Sequence, residues 1–226
     1  MFIYNKDGKY IIEVSQGTTE EIKKQYGDDV FISFLYCGEN AIIENNHVRT
    51  KTEFEKVKSG EKELEDGKYI KNQELIIIER PSDYHYWNKE QNKWIFDKNI
   101  KISELKEKIA TEKEKVIESG FEIKTNEKTL IQKCREKDKT NILGTLQLMG
   151  STGQSTIDWK FIDKNNIDVI EQVTKEFLTN ILIQGAILTS KAIHVEQQLF
   201  IKIAALNEIE LLNFDVENEF KSLMGG

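Results

Sequence analysis

Cysteine, histidine and proline are all scarce in this chain, and each shortage excludes something. The two cysteines, Cys37 and Cys134, lie 97 positions apart. No Cys-x-x-Cys spacing exists, so neither a zinc site nor a dithiol redox motif is expected, and two reduced, buried thiols are. The three histidines, His47, His85 and His194, are spread over 147 positions and form no paired metal-ligand spacing. Proline occurs once, at Pro81. It separates the strand-like run LIIIER from an aromatic segment, a good place for the chain to change direction.

Two further absences bear on partners. Lysine and arginine together number 32 against 39 acidic residues, for a net charge of −7, and they interleave with Glu and Asp rather than cluster. A nucleic-acid partner is therefore not expected, because phosphate binding needs a concentrated basic surface. No uninterrupted apolar run reaches the length of a membrane span, and MFIYNKDGKYIIEV carries charges every few residues, unlike a signal peptide. The expectation is a soluble intracellular protein without a membrane partner.

Motifs for catalysis are equally thin. GSTGQST lacks the lysine of a phosphate loop. Asp28 and Asp29, adjacent before a strand, would point to opposite faces. DKNN offers calcium-compatible oxygens without a full calcium-binding loop. His85 lies among aromatics as a packing residue, and His194 and Glu196 stand on different faces of a helix. No catalytic, cofactor-binding or metal site is expected, and the chain is read as a non-enzyme.

What is present is an α+β pattern. Residues 1–81 read as a β-rich domain with short helices. Strands flank Lys6-Asp7-Gly8. Thr18 with Glu21, and Thr52 with Glu55, mark two capping boxes, closed by Gly27 and Gly60. VFISFLYC reads as a strand buried on both faces, with AIIENNHV pairing back on it. DGKYIKNQELIIIER reads as a hairpin turning near Asn72-Gln73. An aromatic hairpin is assigned to residues 82–98 and a charged connector helix to 99–120, with Ile102, Leu105, Ile109 and Val116 as its seam. Residues 121–226 read as a helical C-terminal module. It holds a hairpin around Thr125-Asn126, a short helix through REKDKTNILGTLQLM, a loop at GSTGQST and a hairpin turning at residues 163–166. One long helix then runs from about Val169 to Leu206, spanning roughly 55 Å at 1.5 Å per residue. Its seam is Ile170, Val173, Phe177, Ile181, Leu188, Ala192, Val195, Leu199, Ile203 and Leu206, spaced three and four apart as in a coiled coil.

Two features stand out as candidate partner-binding surfaces. SDYHYWNKEQNKWIFD, folded about Glu90-Gln91, places Trp87 opposite Trp94 and gathers Tyr84, Tyr86 and Phe96 around them. Aromatic cross-strand pairs contribute roughly 0.2–1 kcal/mol each. The cluster is either a small core or an interface, because Tyr and Trp also dominate interface hot spots. The second feature is the long-helix seam, represented by Ile181, Leu188, Val195 and Leu199, with Trp159 from the preceding hairpin. The pattern leaves that seam open to self-association with a second copy of the chain and to packing within the chain under the shorter helices.

The order of segments supplies one more expectation. The W-x6-W hairpin, the charged helix ending at Ser-Gly-Phe, the short hairpin, IDWKFIDKNN and the long helix with HVEQQLFIKIAALNEIE together resemble a family of bacteriophage tail-fibre-assembly-like proteins. That family carries a C-terminal domain of unknown function. The matching residues are Gly120-Phe121, Asp158-Trp159, Ala192, His194, Ala204, Leu206 and Ile209. They cover roughly residues 84–212 and leave residues 1–80 unassigned. The family's last helix is usually rich in Ala and Arg, whereas Ile, Asn, Lys and Gln take their place here. The resemblance implies a tail-fibre assembly chaperone or adaptor of a phage or prophage, without enzymatic activity or cofactor, working in the cytoplasm of a bacterial host. Its alternative is a structural component of the virion tail, at the fibre tip or baseplate periphery. In either case the partner is the tail fibre or another tail protein, and a grip on a trimeric fibre becomes a third open reading of the long-helix seam.

Overall fold

The computed structural model describes residues 1–124 and 128–225, and the chain divides into two units, Met1–Ile95 and Phe96–Gly226. The protein is α+β.

In the first unit the Lys6-Asp7-Gly8 tip is closed by Asn5, whose Oδ1 accepts from the N–H groups of Asp7 and Lys9 at 2.9 Å each. The tip joins β1 (Phe2–Asn5) to β2 (Tyr10–Glu13). Helix α1 (Thr19–Tyr26) starts at the expected Thr18–Glu21 capping box and ends at Gly27. It leads into β3 (Val30–Ser33), which completes an antiparallel sheet in the order β2-β1-β3. Side-chain alternation along β1 divides the sheet into two faces. Ile3 packs with Ile22 of α1 and Val30 on one side; Tyr4 packs with Cys37 and Ala41 on the other.

The strand expected over VFISFLYC stops at Ser33. Ser33 Oγ accepts from Leu35 N–H at 3.2 Å and donates to Leu35 C=O at 2.6 Å. This local turn competes with the ladder and ends it. Phe34 and Leu35 are consequently 82% and 76% exposed rather than buried. AIIENNHV pairs with itself, as β4 (Ile42–Glu44) and β5 (His47–Arg49). Asn45 and Asn46 between them both have positive φ, as a two-residue hairpin turn demands. Helix α2 (Glu53–Lys58) follows, with the Thr52–Glu55 capping box in place. Arg49 grips Glu55 with two bonds of 2.8 Å and Glu44 with one of 2.7 Å, tying the β4–β5 hairpin to α2. Strands β6 (Lys68–Lys71) and β7 (Glu74–Ile77) turn at Asn72-Gln73, and β8 (His85–Asn88) pairs with β9 (Lys93–Phe96).

The second unit begins with helix α3 (Lys98–Ser119). The sequence reading made this helix a connector over 99–120; it is instead part of this unit's core, with Leu105 and Ile109 buried among α5, α6 and α7 residues named below. Gly120 ends it at φ 71°, where an added Cβ would lie 1.9 Å from the Gln132 carbonyl oxygen, so only glycine fits. Strands β10 (Phe121–Lys124) and β11 (Thr129–Gln132) follow; the expected turn at Thr125-Asn126 lies outside the described residues. Helix α4 (Glu136–Thr152) runs through the expected GSTGQST loop as far as Thr152 and stops at left-handed Gly153. Strands β12 (Thr156–Asp163) and β13 (Asp168–Thr174) form the long hairpin. Together they complete a sheet in the order β10-β11-β12-β13, so the two expected hairpins are one meander.

The long helix α5 (Lys175–Ala205) starts six residues later than the periodicity suggested. Residues 169–174 alternate as the strand β13, and Thr174 Oγ1 caps the helix by accepting from Phe177 N–H at 3.2 Å. At 1.5 Å per residue its 31 residues span about 46 Å. Its first half covers the sheet together with α4, where Leu178 and Ile181 meet Leu130, Ile142, Met149, Phe161 and Val173. Its second half bundles with α3 and two helices the sequence reading did not separate, α6 (Glu208–Leu212) and α7 (Val216–Met224). The Asn207–Glu210 capping box that starts α6 was the local signal available for them.

Candidate functional site

The aromatic hairpin is folded around its own tryptophans. Trp87 is 8% exposed, its ring centroid 5.4 Å from that of Trp94 in an edge-on arrangement and 6.4 Å from that of Tyr69. Half-buried Trp94 donates from Nε1 to the Ile78 carbonyl at 2.8 Å. Gly67 lets the chain pass closely, since a Cβ there would meet Ile78 O at 2.7 Å and Trp94 Cζ2 at 3.0 Å. Arg80 lies 5.7 Å from the Trp94 ring and donates to the carbonyls of His85 and Asp83. Buried His85 shares a 2.8 Å hydrogen bond with Ser82 Oγ. Of the two readings open to the pair, a small core or an interface, Trp87 and Trp94 take the first. Strand alternation puts Tyr86, 51% exposed, on the other face, while Tyr84 is half-buried.

The other sequence candidates separate in the same way. Phe96 is half-buried against the α3–α5–α7 cluster. Ile181, Val195 and Leu199 are buried inside the second unit and are unavailable to a partner; Leu188 is half-buried. Ile170 and Val173, placed on the helical seam by their spacing, belong to β13. The exposed large apolar residues of α5 are others, Ile183, Ile187 and Ile201 toward one side and Ile193 apart from them. Sequence reasoning missed these residues because it chose one of two isoleucine-rich sides as the seam. It also missed Phe34 and Leu35, whose exposure follows from the Ser33 turn.

Titratable groups serve structural pairings. The Lys113 ammonium meets Glu196 Oε1 at 3.0 Å between α3 and α5, and this contact raises the Lys113 pKa. Burial pushes the Cys134 thiol up and away from thiolate chemistry. Tyr36 donates to Glu39 at 2.6 Å, which drives its hydroxyl up to about 12. Among the described residues no three His, Cys, Asp or Glu side chains converge to hold a metal.

Trp159 occupies a different setting. It lines an open cleft of about 530 Å³ between α4 and the sheet, with Asp158 and Lys160 of β12 along one wall and Thr140, Asn141, Gly144, Thr145 and Leu148 of α4 along the other. The cleft exists because β11 leaves β12 early. These strands pair only at Leu130–Asp163 and Ile131–Ile162, whereas β12 pairs with β13 continuously from Thr156 to Ile162. Buried Gln132 terminates the β11 ladder. Its Oε1 accepts from Trp159 Nε1 at 3.0 Å and its Nε2 donates to the Lys133 carbonyl at 2.9 Å, while the N–H of Cys134, two residues on, turns to Ile117 O.

No protein-family model matches the chain, and neither a curated protein nor a solved structure is similar to it.

Proposed function

We propose that this chain is a non-enzymatic, protein-binding adaptor that works as a tail-fibre assembly chaperone of a phage or prophage. The observation that carries the binding part is the second face of α5. One side of the helix is buried within its own unit, yet Ile183, Ile187 and Ile201 stand exposed on the rest of it, Ile187 at 63%. A contiguous exposed apolar patch marks a docking place, and Ile183 and Ile187, one helical turn apart, form the nucleus of one on α5, with Ile201 standing apart from them. The phage assignment rests on the ordered resemblance of residues 84–212, and the fibre, or another tail protein, is the partner it implies. No nucleic acid, membrane or cofactor enters this reading.

The test is quantitative mass spectrometry of purified particles beside the lysate that produced them. Abundance in the lysate with absence from particles is expected of an assembly factor in the host cytoplasm. A fixed copy number per particle would replace that reading with a structural component of the virion tail. Absence of any association with fibre or tail proteins in either fraction would overturn both.

A further inference from the structure

The geometry points to the open edge of β12 as a strand-addition site, in which an extended segment of a partner polypeptide lies in the cleft under α4 and joins the sheet beside Asp158 and Lys160. This site rests on the reading of the chain as a protein-binding adaptor and states how it would grip.

In an antiparallel ladder the N–H and C=O of one residue point to the same side, and the side alternates along the strand. The Asp163 N–H donates across the hairpin to Ile167 O at 2.9 Å. With the unbroken register to β13, Phe161 and Trp159 also direct their backbone groups to β13. Ile162, Lys160 and Asp158 direct theirs the other way. Ile162 is met there by Ile131, the last paired residue of β11. Lys160 and Asp158 present their N–H and C=O groups to the cleft they line. They lie about 6.7 Å apart at 3.3–3.4 Å per residue, the repeat of an incoming strand. An edge of this kind is a template for another chain.

The walls agree with a peptide as occupant. Trp159 supplies an aromatic surface, and Thr140, Asn141 and Thr145 supply neutral hydrogen-bonding side chains. Nucleic acid is disfavoured, because Asp138 and Asp158 are in the lining and Lys160 is already paired with Asp168 at 2.9 Å. Gly144 is the telling residue. A glycine inside a helix costs about 1 kcal/mol relative to alanine. This one is exposed in α4 and an added Cβ would meet no neighbouring atom within 4 Å, so packing does not demand it. It keeps the helical wall low where the peptide would pass.

The experiment pans a display library of short random linear peptides on the full chain and measures the enriched sequences by fluorescence anisotropy. Binding is expected to weaken at least about tenfold in Gly144→Leu, which fills the cleft, while the melting temperature stays equal or rises. Methylating alternate backbone nitrogens of the bound peptide should abolish binding in one register and spare it in the other. The amides of Asp158 and Lys160 should gain protection from hydrogen exchange on binding. Failure to enrich any peptide, equal binding by Gly144→Leu, or indifference to backbone methylation would each overturn the site. The methylation and exchange readouts apply even if the variant fails to fold. Peptide binding indifferent to Gly144→Leu, with a tail-fibre partner still held, would remove the cleft and leave the adaptor reading, carried by the α5 face, intact. Peptide binding at this edge without any tail partner would do the reverse.

Discussion

At Glu55 two structural tasks meet in one carboxylate. It takes two bonds from Arg49 and also closes the α2 capping box by accepting from Thr52 N–H at 2.8 Å. Arg49 first, and the Thr52 backbone second, lower its pKa from 4.5 to about 2. A depressed carboxylate stabilises the folded state above its unfolded pKa and loses that contribution as pH falls through the folded value. Melting of the first unit is therefore expected to decline between about pH 4.5 and pH 2. Thermal melts across that range should decline less steeply for Glu55→Gln, though Glu53 and Glu61, also lowered by lysine partners, leave part of the slope. Trp87 and Tyr86 give a second contrast at this scale. Truncating Trp87 to Ala should cost the first unit about 3 kcal/mol, as for other buried aromatics. Tyr86→Ala should change stability by no more than about 0.5 kcal/mol. Denaturant titration separates the two, and equal losses would contradict the assignment of faces.

At the scale of elements, what the sequence revealed was local. Capping boxes at Thr18–Glu21 and Thr52–Glu55 and the Asn72-Gln73 turn were legible because the groups that satisfy each other lie within a few residues. Trp87 and Trp94 could be paired from their spacing, but spacing could not say whether they faced a core or a partner. The start of α5 was hidden because Ile170 and Val173 fit both a helical seam and an alternating strand; Thr174, a cap residue, marks the change. The cleft was not legible at all, since it depends on where β11 parts from β12. The two faces of α5 make a direct prediction. Ile187→Lys should leave the melting temperature nearly unchanged, within about 0.5 kcal/mol, and weaken partner binding. Leu199→Ala should cost roughly 2–5 kcal/mol. A large loss of stability from Ile187→Lys would show that this face is occupied within the chain.

For the whole molecule, the division at Ile95 and Phe96 separates two sets of buried residues. A fragment of residues 96–226 is expected to fold alone, with a helix-dominated circular dichroism spectrum and one cooperative thermal transition. An aggregated or unfolded fragment would contradict the division. The boundary falls before α3 because the apolar side of that helix needs α5 and α7 to cover it, a dependence its highly charged sequence conceals.

The first unit's strands pair over short stretches of chain, β4 with β5, β6 with β7 and β8 with β9 each across a tight turn, and β1 with β3 across α1. A hairpin closes in roughly 1–10 μs, while a ribosome adds about 5–20 residues per second. Hairpin closure is thus thousands of times faster than the addition of the next residue. The local pairings of the first unit therefore have ample time to be sampled before α5 is synthesised.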